Sequence, residues 1–128
     1  WVMTVVPNAD RVMRIKPVDG RVRIRRGGDV LVESDTAVRV LEIGRDFYDP
    51  VFYVPEGDIG VDLARSAAAS THCPIKGDAV YFDLLDAAGT PVLEAIAWAY
   101  PDPVAGAEAL AGRVAFDAAH VTIEQSPA

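Results

Sequence analysis

Only one cysteine, Cys73, occurs among the 128 residues, so an internal disulfide is excluded and nothing in the composition calls for an oxidising compartment. The expected location is the cytoplasm. Positive charge is also short, with 12 Lys and Arg against 19 Asp and Glu and a formal net charge of -7. Phosphate backbones and anionic membranes both require a cationic surface, so neither nucleic acid nor a membrane is expected as a partner. Long apolar runs are missing too. The run Trp1-Val2-Met3-Thr4-Val5-Val6 stops at Pro7, far short of a membrane span, and carries no readable cleavable signal. Because the chain starts on tryptophan rather than methionine, that run is no guide to targeting.

The motifs of phosphate and metal chemistry are equally absent. There is no GxxxxGK followed by Ser or Thr, no GxGxxG, and no Gly-Ser leading to the DxD pair that many nucleotidyl transferases use to hold magnesium. Neither CxxC nor HxxxH occurs. A zinc site would have to draw on His72, Cys73, His120 and a carboxylate such as Asp78, so no metal and no cofactor is expected. The pairs Asp46/Asp49 and Asp83/Asp86 have the wrong spacing for a metal, and the second is read as a strand end plus a turn.

What is present is a chain with 51% apolar residues, enough for one domain to bury a core without staples. Strict alternation in Arg21-Val22-Arg23-Ile24-Arg25, then Gly27-Gly28-Asp29, then Val30-Leu31-Val32, predicts a hairpin, since glycine accepts the positive φ of tight turns. Further strands are predicted over 37–43 and 51–54, with a loop over 44–50 between them. A single helical turn capped by Asp58 is expected to reach residue 62, despite Gly60. Residues 64–77 show no clear period and are expected to form a long irregular connection.

A second, longer hairpin is predicted from strands over 79–85 and 92–100. Asp102-Pro103 then has the form of a helix start and Gly112 of a stop, with Val104, Ala107, Leu110 and Ala111 on one face. A last strand is expected near 114–116 or 121–124. The fold class is therefore all-β, mainly β with one short helix, in which two antiparallel sheets pack or curl into a barrel-like body.

The stretch Ser70-Thr71-His72-Cys73-Pro74-Ile75-Lys76-Gly77-Asp78 carries the densest chemistry and admits three readings. As a thiol site, Cys73 would be activated by the positive charge of His72 or Lys76. As a metal site, the same residues would need ligands from elsewhere. As architecture, Pro74 fixes φ and Gly77 permits a close approach, giving a tight turn into the next strand while Lys76 and Thr71 can still face a ligand.

Aromatic residues recur at strand positions: Tyr53, Tyr81, and the pair Trp98 and Tyr100, two apart and so on one face. If they converge, they line an apolar pocket with hydroxyl handles; otherwise they are ordinary core. Arg21, Arg23 and Arg25 also share a face, which is either solvated edge protection or a carboxylate-binding stripe.

Taken together, Arg21-Val22-Arg23-Ile24, Gly28-Asp29-Val30-Leu31-Val32-Glu33-Ser34, Phe52-Tyr53-Val54-Pro55-Glu56-Gly57-Asp58-Ile59, Thr71-His72-Cys73-Pro74-Ile75-Lys76-Gly77-Asp78-Ala79-Val80-Tyr81 and Ala97-Trp98-Ala99-Tyr100-Pro101-Asp102-Pro103 resemble a bacterial family. That family is the domain of unknown function four-two-seven, which carries a nucleotidyltransferase-like label. The resemblance spans about 20–123 and implies a β-tent-like fold of two antiparallel sheets. Many β-tent proteins hold zinc on cysteine pairs, which this chain lacks, and the transferase label has no motif here to support it.

The resemblance makes Tyr53, Asp58, Thr71, His72, Cys73, Lys76, Tyr81, Trp98 and Tyr100 the candidate site residues. Ile75 departs from the family pattern, where an aromatic residue is commoner, as does Phe82, where tryptophan often stands, and both are expected to remodel a pocket wall. The expected function is small-molecule binding, with Tyr53, Asp58, Thr71, Tyr81, Trp98 and Tyr100 as ligand contacts. The alternatives are an enzyme using His72, Cys73 and Lys76, and a noncatalytic interaction module. The expected partner is an unidentified small molecule, with a homo-oligomer also compatible.

Overall fold

The computed structural model describes residues 4–8, 11–44, 48–67 and 70–127. Twelve strands follow in chain order: β1 (Thr4–Asn8), β2 (Arg11–Pro17), β3 (Arg21–Arg26), β4 (Asp29–Ser34), β5 (Val38–Ile43), β6 (Val51–Pro55), β7 (Leu63–Arg65), β8 (Thr71–Cys73), β9 (Gly77–Leu85), β10 (Pro91–Ala99), β11 (Arg113–Phe116) and β12 (Thr122–Ser126). Nine of them form one antiparallel sheet in the order β1-β2-β5-β6-β11-β10-β9-β7, with β8 also pairing with β9. The other three form a small sheet, β12-β3-β4. The architecture is thus the expected pair of antiparallel sheets, and neither closes into a barrel.

Side chains alternate across the large sheet and so make two cores. On one face Val54, Leu84, Ala97, Ala99, Val114 and Phe116 pack against Val22, Ile24, Leu31 and Val32 of the small sheet. On the other face Tyr53, Ala79, Tyr100 and Ala115 join Met13, Ile15, Val38 and Val40. The first core holds the sheets together, and the second underlies the site described below.

The predicted hairpin forms as β3 and β4, with Gly27 at φ +60 in its turn. A register shift after Ile24 leaves Leu31 as an extra residue whose carbonyl accepts from the Gly60 amide at 2.8 Å. Asp58 does not cap a helix. The residues 56–58 form a single 3-10 turn, and the Asp58 carboxylate instead accepts from the buried Ser34 hydroxyl at 2.6 Å. It therefore clamps the small sheet to the large one, because a buried hydroxyl needs a partner.

Two other expectations are corrected. Residues 64–77 are not irregular throughout, since β7 and β8 each pair with β9. Strands of three residues are too short to show a period, and only the partner reveals them. The helix expected over 102–112 is absent, and its place is taken by successive turns with one 3-10 turn at Glu108–Leu110. Gly106 at φ +94 interrupts any helix, and the Val104 amide donates to the Lys76 carbonyl at 3.0 Å rather than within the segment. The apolar spacing still has its use, because Ala107 and Leu110 are fully buried in the second core.

Both candidates for the last strand form, as β11 and β12. The loop over 44–50 includes residues 45–47, which lie outside the described residues, as do Trp1, Val2 and Met3 of the apolar run. Asp86 does occupy a turn, accepting from the amides of Ala88 and Thr90 at 2.9 Å each. Asp83, inside β9, accepts from Ala95 at 2.8 Å, where a bulge puts Ala95 at φ +52. Among the described residues no helix is long and apolar enough to cross a membrane.

Candidate functional site

The site begins with a tight turn. The Lys76 amide donates to the Cys73 carbonyl at 3.2 Å, so Cys73-Pro74-Ile75-Lys76 is a β-turn with proline at its second position, where a fixed φ is favourable. Ile75 points into the second core and is buried. Gly77, at φ +124, lies so close to the 102–104 segment that an added Cβ would stand 3.1 Å from the Asp102 carbonyl oxygen. The architectural reading of Pro74 and Gly77 therefore describes this turn.

The turn aims Lys76 across the sheet. Its ammonium donates to the Glu42 carboxylate on β5, and both side chains are about nine-tenths buried. Strands β5 and β9 are four places apart in the sheet order. A flat sheet would separate them by roughly 19 Å at about 4.8 Å per strand. The ion pair therefore spans a sheet curled toward this face, and the curl forms an open cavity.

That cavity has a volume of about 350 Å³ and is lined by Val40, Glu42, Tyr48, Asp49, Val51, Tyr53, Lys76, Tyr81, Trp98 and Tyr100. The rings of Tyr53 and Tyr100 stand 6.3 Å apart at a tilt of 43°. The Trp98 indole N–H donates to the Tyr53 hydroxyl at 3.2 Å, and the hydroxyls of Tyr81 and Thr71 are hydrogen-bonded at 2.7 Å. Cys73 is half-buried beside the second core, with its Sγ 3.9 Å from the Lys76 ammonium.

Burial pushes the Tyr53 phenol well above its ordinary value of 10.0, with Tyr100 adding to the shift and the Trp98 hydrogen bond opposing it. A raised folded-state value favours the neutral phenol, so this contribution to stability is complete below pH 10 and is lost as pH rises above it. Unfolding free energy is expected to fall by up to about 1.4 kcal/mol per pH unit in that range through this one group. Urea unfolding at pH 9 and pH 11 checks it: Tyr53→Phe should show the shallower loss, and equal losses would refute the assignment.

Five of the nine candidates, Tyr53, Lys76, Tyr81, Trp98 and Tyr100, line the cavity. Thr71 and Cys73 stand behind it, in contact with Tyr81 and Lys76. His72 is elsewhere. It lies opposite Asp78 in the β8–β9 register, on the other face from Thr71 and Cys73, and its Nδ1 pairs with the exposed Asp78 carboxylate at 2.7 Å. Asp58 sits at its clamp with Ser34 and does not line the cavity. The two departures from the family pattern do not line it either, since Ile75 is core and Phe82 packs on the opposite face.

Glu42, Tyr48, Asp49, Val40 and Val51 were not among the candidates. Glu42 had a signal: it falls in phase with Val38 and Val40, an acidic residue at an inward position of an alternating strand. The arginine stripe is a solvated face. Arg21 pairs with Asp35, Arg23 with Glu33 and Arg25 with Glu124. Arg21, mainly through its hydrogen bond, holds the Asp35 carboxyl below the usual range. Among the described residues no three of His, Cys, Asp and Glu come together as a metal's ligands would.

A family model described as a domain of unknown function, DUF427, matches residues 14–126. The chain belongs to this family. The match runs from within β2 to the end of β12, and takes in all of the cavity's lining residues. Among proteins of curated function, none matches this DUF427 domain.

Proposed function

We propose that this DUF427 domain binds a small molecule in the cavity between β5, β6, β9 and β10. The observation that carries the reading is the lining itself: five aromatic side chains and one buried ion pair around about 350 Å³. Small-molecule sites characteristically combine apolar and aromatic walls with a few fixed polar groups at volumes of this order. The walls come from four different strands and the segments that join them, so the shape is held by the sheet rather than by one loop.

The enzyme alternative rests on the approach of the Cys73 thiol to Lys76. It is weaker because His72 faces away from that pair, so His72, Cys73 and Lys76 do not act on one substrate atom. The experiment is a fragment screen by NMR, with the Trp98 indole N–H as reporter and Val51→Trp as the variant that fills the mouth. Fragments that shift Trp98 in the parent and not in the variant support the reading. A screen in which no fragment moves Trp98 would sink it.

A further inference from the structure

The polar atoms of the cavity wall are largely engaged within the protein, and this narrows what the walls offer a ligand. The Trp98 N–H is bonded to Tyr53, the Tyr81 hydroxyl to Thr71, and the Lys76 ammonium to Glu42. What borders the space is therefore mainly aromatic, with Tyr48, Tyr81 and Trp98 the more accessible rings over the buried Tyr53 and Tyr100, and with aliphatic patches from Val40 and Val51. Lys76 and Glu42 cancel one another in charge, which leaves Asp49 at the exposed mouth. Asp49 has no salt-bridge partner among the described residues.

Aromatic faces carry negative potential and attract cations, most strongly when the cation is desolvated. A carboxylate or phosphate ligand would meet those faces and Asp49, with the one cation already paired. A primary ammonium is strongly hydrated and needs acceptors to replace its water, whereas the wall acceptors other than Asp49 already take part in contacts within the protein. An ammonium bearing methyl groups needs none, fills apolar space, and keeps its charge. The chain's formal net charge of -7 favours the approach of such a ligand.

We infer that the ligand of this cavity is a small organic cation with a methylated ammonium head, held by the aromatic walls and by Asp49. This rests on the small-molecule reading above and goes further in naming the charge. The test compares choline with its neutral carbon isostere, 3,3-dimethylbutan-1-ol, and with acetate, each titrated by NMR on the Trp98 indole N–H. Choline is expected to bind about tenfold more tightly than the isostere, and acetate not at all.

Asp49→Asn, a change at an exposed position, is expected to weaken choline severalfold and leave the isostere unaffected. If the isostere binds as well as choline, or if Asp49→Asn changes nothing, the cation assignment is overturned while the pocket stands. If neither choline nor the isostere moves Trp98, the cation assignment fails, and the fragment screen decides separately whether the cavity binds anything.

Discussion

Lys76→Met is expected to lower the unfolding free energy by about 3–5 kcal/mol, because it leaves the Glu42 carboxylate buried with its cation gone. Glu42→Leu alone should cost a similar amount by leaving the ammonium buried without its carboxylate. The double variant is expected to return to within about 1–2 kcal/mol of the parent, since well-packed apolar groups of similar volume avoid the cost of desolvating two charges. The two side chains are only 11% and 10% exposed, which is why a surface-pair value does not apply. Urea denaturation of all four proteins gives the coupling energy directly. A single variant that loses less than about 1 kcal/mol would mean that the pair behaves as an exposed one.

The second large effect is expected at Gly77. Alanine there would have to adopt φ +124 and would place its Cβ 3.1 Å from a backbone carbonyl that has no freedom to swing aside. Backbone strain and overpacking together predict a loss of about 2–4 kcal/mol. Gly57→Ala is the control. Its added Cβ meets nothing within 4 Å, so a change within about 0.5 kcal/mol is expected. Thermal unfolding of both variants tests the pair, and a Gly77→Ala protein as stable as Gly57→Ala would show that the turn can relax. Because the Lys76 carbonyl accepts from Val104 beside this contact, the same variant should also disturb the aim of Lys76.

The hairpins were legible because their signals are local. Alternation in β3 and the glycine pair after it specify a turn within a few residues, and Asp86 caps its own turn. Strands β7 and β8 were not legible, since three residues carry no period and their pairing depends wholly on β9. The 102–112 segment shows the opposite failure. Its apolar spacing is compatible with a helix, but Gly106 and the tertiary bond from Val104 to Lys76 divert the backbone into successive turns.

The candidate site divides in the same way. The residue types, four of the five aromatic walls and the Pro74–Gly77 turn were readable from the order of amino acids alone, as was the β class of the fold. The convergence was not. Whether Lys76 meets Glu42, whether His72 faces the cavity or the solvent, and whether Asp58 contacts a ligand or Ser34 all depend on strand register and on the curl of the large sheet. A shift of one residue in a strand exchanges its faces, and four strand spacings separate β5 from β9. The chain's order determined which groups exist and which turns they favour, while only the long-range pairing of strands decided which of them share a cavity.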